Sequence, residues 1–243
     1  MRKMLLCLSI YLILPHYSRT AMADEAECIM REHKVERFIS EIYDELDFGF
    51  SDKLPYDAFD LAYRGYVNLR NENKLNNGHE IITVCDFELS SRQKRLWVID
   101  LKNRKILFNT LVAHGQGSGD EYAMSFSNKP NSHKSSLGLY VTGETFEGEH
   151  GLGLRLHGMD EGFNDAAFDR DIVIHGAEYV SDKFICREDK LGRSWGCPAL
   201  PNDLTAAIVN TIKDSTCLFI YYPEHKYLNT AYWVNKKVTN LPR

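Results

Sequence analysis

Long apolar runs are scarce in this chain. After the first fifteen positions no stretch of about eighteen apolar residues occurs, so no later membrane-spanning helix is expected. Basic charge is also in deficit, with 29 Lys and Arg against 34 Asp and Glu and a formal net charge of −5. Nucleic acid and anionic membrane surfaces attract basic patches, so neither is an expected partner. Paired metal-ligand spacings are missing as well. His157, His175, Cys186 and Cys197 are suitable ligand types, but no Cys-x-x-Cys or His-x-x-x-His occurs, and neither a metal nor a cofactor is expected. The glycine-rich Gly115-Gln116-Gly117-Ser118-Gly119 lacks the lysine of a phosphate loop and the ending of a dinucleotide motif. There is no internal repeat and no low-complexity tract.

The beginning of the chain has a processing pattern. Met1-Arg2-Lys3 is basic, Met4 to Pro15 is mostly apolar, and Ala21-Met22-Ala23 is a small-x-small cleavage signal. Residues 1–23 therefore read as a secretory signal peptide with Asp24 as the first mature residue. The chain is expected to be exported, periplasmic or extracellular. Removing Arg2, Lys3 and Arg19 leaves it more acidic, and about 220 residues suffice for one sizeable core.

Cys28, Cys85, Cys186, Cys197 and Cys217 remain after such processing. An odd count in an exported protein leaves one thiol unpaired or bridging two molecules. With Cys197 as the free one, the other four can form two disulfides in any of three pairings.

Apolar spacing divides the rest. Val35, Phe38, Ile39, Ile42, Tyr43 and Leu46 recur with a helical period over about 27–47, and Phe59, Ala62, Tyr63 and Tyr66 repeat it after Pro55. Asn76-Asn77-Gly78 then interrupts the chain. Beyond residue 79 short apolar runs predominate: Ile81 to Phe87, a hairpin of Leu96–Leu101 and Ile106–Val112, then Leu137–Thr142, Gly153–His157, Asp171–His175 and Cys217–Tyr222. One helix is expected between Asn202 and Lys213. The expected fold is mainly β with peripheral helices, a sandwich or barrel following an N-terminal helical extension. The expected units are 1–23, an extension over 24–78, a catalytic domain over 79–225 and a C-terminal tail over 226–243.

Chemistry concentrates in two segments. Ile172-Val173-Ile174-His175-Gly176 ends an apolar run in an imidazole, and Arg193-Ser194-Trp195-Gly196-Cys197-Pro198 puts a thiol on a glycine-bearing turn. A thiol becomes a useful nucleophile at neutral pH beside a base or a positive neighbour. A glycine before it permits a sharp turn that aims amide N–H groups at an oxyanion. The pair reads as a cysteine–histidine acyl-transfer site. His157 is a second candidate base whose plainer reading is a core residue. His114 reads as a loop residue, and Gly115–Asp120 with Phe126–Ser136 as a flexible rim over a cleft.

Ser194-Trp195-Gly196-Cys197 resembles the Ser-His-Gly-Cys signature of the murein L,D-transpeptidase catalytic domain, and His175-Gly176-Ala177 resembles its His-Gly-Thr element. The likeness extends over roughly 80–222 through Val112–Gly115, Phe126–Asn128, Ser135–Gly138, Leu154–Gly158 and Gly192–Ala199. It implies an L,D-transpeptidase-like β-rich fold acting on peptidoglycan stem peptides. A cysteine would attack the third stem residue, release D-alanine and pass the acyl group to a neighbouring amine as a 3→3 cross-link. On this mapping Cys197 is the nucleophile, His175 the base and the Gly176 carbonyl its orienting acceptor. The amides of Trp195, Gly196 and Cys197 are the oxyanion donors. Trp195 replaces the signature histidine and Ala199 the customary arginine, so Arg193, Arg155 and Arg170, with Ser194 and His157, become the substrate-binding candidates. Two alternatives are a carboxypeptidase or endopeptidase using water as acceptor, and a non-catalytic wall-binding protein with Cys197 held in a disulfide.

Overall fold

The computed structural model describes residues 14–242 except 77 and 150. Of the expected signal segment, residues 1–13 lie outside the described residues, and Leu14 opens the first helix, α1 (Leu14–Asp44). Val35, Ile39, Ile42 and Leu46 from this region are buried, in line with the helical spacing. Helix α2 (Tyr56–Asn71) starts immediately after Pro55, whose φ of −55° suits a helix entry, with Asp57 in its first turn and Arg70 in its last. Its buried face presents Phe59, Ala62, Tyr63 and Tyr66. Gly65 lets it approach the sheet closely, because a Cβ there would lie 2.2 Å from Leu139 Cδ1.

Eight strands follow among the described residues: β1 (Ile81–Asp86), β2 (Leu96–Asp100), β3 (Lys105–Thr110), β4 (Gly138–Gly148), β5 (Gly151–Gly158), β6 (Val173–Gly176), β7 (Ala199–Leu200) and β8 (Cys217–Tyr221). They form one sheet in the order β3-β2-β1-β8-β4-β5-β6-β7. The β1–β8 and β6–β7 pairs are parallel and the others antiparallel. The two edges then meet. Ala113, just beyond β3, donates to the Ala199 carbonyl at 2.9 Å, and Ala199 returns a bond to Ala113 at 3.3 Å. The sheet is thereby curled into a nearly closed barrel, as the mainly β expectation requires.

The core lies between this curved sheet and its helices. Trp97, Tyr140, Phe219 and Ile82 are fully buried, each apolar side chain of this size contributing roughly 1.5–3 kcal/mol. Helix α3 (Asp182–Glu188) is capped by Ser181, whose hydroxyl accepts from Phe184 N. Helix α4 (Asn202–Ile212) buries Ile208, Val209 and Ile212. The stretch expected as a tail is structured: α5 (His225–Thr230) and α6 (Tyr232–Asn235) bury Tyr227, Trp233 and Val234. Asn68 on α2 donates to the carbonyls of Trp233 and Lys236 at 2.9 and 2.8 Å, tying that end of the chain to the helical layer.

The disulfide expectation requires correction. All five described cysteines are free. Cys85 on β1 and Cys217 on β8 occupy neighbouring strands, but Cys85 faces Ile220 and Cys217 faces Ile82. Three residues of strand separate their register positions by about 10 Å, too far for an S–S bond. Cys28 is half-buried, and Cys186 is exposed on α3.

Candidate functional site

Strand β6 lies between β5 and β7, with Arg155 opposite Val173 and His175 opposite Ala199. Because Ala199 follows Cys197 by two residues, this pairing brings the thiol beside β6. The Val173 amide donates to Cys197 Sγ at 3.4 Å, and Sγ lies 3.5 Å from the Asp171 carbonyl. His175 Nδ1 lies 2.9 Å from the Gly176 carbonyl. A carbonyl only accepts, so Nδ1 donates the hydrogen in this bond. His175 and Cys197 line one cavity of about 900 Å³, together with Arg155, Arg170, Arg193, Ser194 and Trp195.

Burial pushes the Cys197 thiol above its ordinary pKa, against the opposing effects of the Val173 amide and the Arg170 charge, while Asp171 adds to the rise. Burial thus favours the protonated thiol, a form that needs a base to become a nucleophile. Cys197 is unbridged, which removes the premise of the reading that held it in a disulfide.

The turn before the thiol is tightly held. Gly196 has φ +128°, and a Cβ there would lie 2.8 Å from the Lys134 carbonyl and 2.9 Å from Ile172 Cδ1. Ser194 is buried, and its hydroxyl donates to the Cys197 carbonyl at 2.6 Å while accepting the Gly196 amide at 3.1 Å. Of the three expected oxyanion donors, the Gly196 N–H thus already has an internal acceptor. Ser135, one of the loop serines, donates to the Gly196 carbonyl at 3.1 Å.

The arginines differ in what they touch. Arg170 directs Nη1 to the Ser127 carbonyl and the Ser136 hydroxyl, at 2.8 and 2.5 Å, and Nη2 to the Lys134 carbonyl at 2.8 Å. Arg155 pairs with Asp171 at 3.0 Å and covers the Phe146 ring at 4.7 Å. Arg193 pairs with Asp120 at 3.0 Å and donates to the Gly119 carbonyl at 3.0 Å. His157 is exposed, stacks on Phe168 at 5.1 Å and is not among the side chains lining the cavity. His114, expected as a loop residue, is buried. Its Nδ1 accepts from the fully buried Arg95 at 2.8 Å, and its own carbonyl accepts the Ser194 amide at 3.1 Å. Ala199, where the customary arginine would stand, is fully buried in β7.

Tyr179 and Phe146 also line the cavity without having been expected. Neither lies in a motif, and the Val173 amide and Asp171 carbonyl carry no side-chain signal at all. Among the described residues no group of three His, Cys, Asp or Glu side chains gathers in a manner able to hold a metal.

A β-rich domain with a thiol and an imidazole on one cavity wall is thus the class the geometry defines. Residues 51–221 match the model of the L,D-transpeptidase catalytic domain, and the chain belongs to that family. A solved L,D-transpeptidase from Mycobacterium smegmatis is similar at 12% identity and a TM-score of 0.36, covering 59% of each chain. One from Stackebrandtia nassauensis has 12% identity and a TM-score of 0.36, covering 68% of this chain and 65% of that one. The helical cell shape determining protein of Campylobacter jejuni has 16% identity and a TM-score of 0.41, covering 68% of this chain and 54% of that one. The chain thus spans between 54% and 65% of the length of these solved proteins. No curated protein matches the sequence.

Proposed function

We propose that this chain is an exported cysteine acyltransferase that acts on peptidoglycan stem peptides. Residues 1–23 direct export, 79–225 form the catalytic domain behind the 24–78 extension, and 226–243 complete it. One observation carries the reading: the β6–β7 pairing sets Cys197 and the carbonyl-oriented His175 on the wall of a single cavity.

The mechanism follows from those groups. His175 Nε2 takes the proton of the Cys197 thiol, and the sulfur attacks the carbonyl of the third stem residue. The developing oxyanion is held by the Trp195 and Cys197 amides that flank Gly196, donors of a kind worth about 3 kcal/mol each. Collapse expels D-alanine, whose nitrogen receives the proton from the imidazolium, and leaves a thioester. The amine of a neighbouring stem then attacks, loses its proton to His175 and forms the 3→3 cross-link as the thiol returns. Arg170 supplies positive charge near the sulfur, while Arg155 and Arg193 face the cavity as contacts for a substrate carboxylate.

Incubation with purified tetrapeptide muropeptides, read by mass spectrometry, tests this. Loss of D-alanine with a cross-linked dimer is the expected result, and tripeptide alone would make water the acceptor. Cys197→Ala and His175→Ala each abolish product in a folded protein. Full turnover by either variant sinks the mechanism. A carbapenem-type acylating drug should add its mass to Cys197.

A further inference from the structure

Trp195 is 73% exposed, whereas Trp97 is fully buried and Trp233 nearly so. Its ring stacks on His133 with centroids 4.9 Å apart and planes within 5°. The support is rigid: the His133 carbonyl accepts the Gly117 amide at 2.8 Å, and Ser135 N donates to Ser118 Oγ at 2.9 Å. The ring therefore presents a flat apolar face at the edge of the cavity that contains Cys197. Leaving such a surface in water is unfavourable, and the stack prevents it from folding away.

We propose that the Trp195 ring, braced by His133, is a docking platform for a sugar ring of the glycan strand, a reading that rests on peptidoglycan being the substrate. A pyranose has one face of C–H bonds and a rim of hydroxyls, so it lies on an aromatic face while its rim stays in water. A single flat ring beside the half-buried polar Ser132 and Lys134 suits that shape better than an apolar peptide, which needs a groove. Reach also agrees. Three extended stem residues span about 10 Å, and Trp195 precedes the nucleophile by only two positions, so one molecule can engage both.

Titration calorimetry of the full chain with a peptide-free N-acetylglucosamine tetramer tests the platform. Saturable binding is expected, with a change in tryptophan emission because the other two tryptophans are buried. Trp195→Leu should weaken it about tenfold, the scale of one aromatic contact, and His133→Ala should weaken it less. No saturable binding, unchanged affinity in Trp195→Leu, or an emission change that tracks dimerisation in sedimentation overturns the proposal. Acylation by a sugar-free tetrapeptide is followed in parallel by mass. A chain that acylates yet ignores the sugar loses only the platform, and one that binds the sugar but never acylates loses only the enzymatic reading.

Discussion

The Ser194 hydroxyl donates to the Cys197 carbonyl across 2.6 Å and at the same time accepts the Gly196 amide. One small side chain thus closes the turn from which the thiol projects, and Ser135 holds the Gly196 carbonyl from the other side. The amides flanking Gly196 owe their direction to these two hydroxyls.

Ser194→Ala should therefore lower kcat by about ten- to a hundredfold with little change in KM, since a buried bond worth about 1–3 kcal/mol is lost where the oxyanion forms. Steady-state turnover of a tetrapeptide, with chemical denaturation as the folding control, measures this. An unchanged kcat would mean that the turn holds its shape without the hydroxyl.

Burial and Asp171 raise the Cys197 pKa, while Arg170 and the Val173 amide lower it. Alkylation by iodoacetamide should accordingly stay slow near pH 7 and accelerate into the alkaline range, with a midpoint above that of an ordinary thiol. Arg170→Met removes a positive charge that favours thiolate, so its midpoint moves further up. A downward shift would place the guanidinium's influence elsewhere.

Much of this arrangement is legible before any coordinates. The apolar runs Ile81–Phe87 and Leu96–Leu101 and the hairpin around Lys102–Lys105 correspond to β1, β2 and β3, because strands covered on both faces read as short, nearly continuous apolar runs. β7 is two residues long and shows no period; its pairing with β6 and the bonds of Ala199 to Ala113 create it. Helices α5 and α6, of six and four residues, are also short and owe their place to Tyr227 and Trp233 docking on the rest of the molecule. Cys197 and His175 stand out as residue types in motifs, whereas the Val173 amide and Asp171 carbonyl act through backbone that any sequence has. Counting cysteines conveys no distances, and the disulfide expectation failed for that reason.

The buried His114 makes an acid-stability prediction. Burial first, and the Arg95 charge second, push its pKa down to about 3 from 6.5. Above pH 6.5 the ring is neutral in both folded and unfolded chains, so its contribution is fully present. As pH falls toward 3, only the unfolded chain gains the proton, and stability is lost. Asp86 works the other way, because burial lifts its pKa to about 6 from 3.8 and favours the folded state in acid. His114→Gln removes the first effect alone. Urea melts at pH 7 and pH 4.5 should show the wild type losing about 2 kcal/mol more than this variant between the two conditions. Equal losses would mean that His114 is hydrated in the folded chain.

The contact of Gly65 with Leu139 joins the helical layer to β4 and can be measured as a coupling. A Cβ at position 65 would overlap Leu139 Cδ1 at 2.2 Å, so Gly65→Ala must displace α2 or force Leu139 out of place. The expected cost is about 1–3 kcal/mol, the usual penalty of overpacking, despite alanine's better helix propensity. Leu139→Ala alone should cost about 2–5 kcal/mol through the cavity it leaves in a fully buried position. In the double variant the new methyl enters the space the leucine vacates, so the two losses should add to less than their sum by about 1 kcal/mol or more. Denaturant unfolding of the four proteins completes the cycle. Strict additivity would show that α2 is not seated on β4 at this point, and that the helical layer meets the sheet elsewhere.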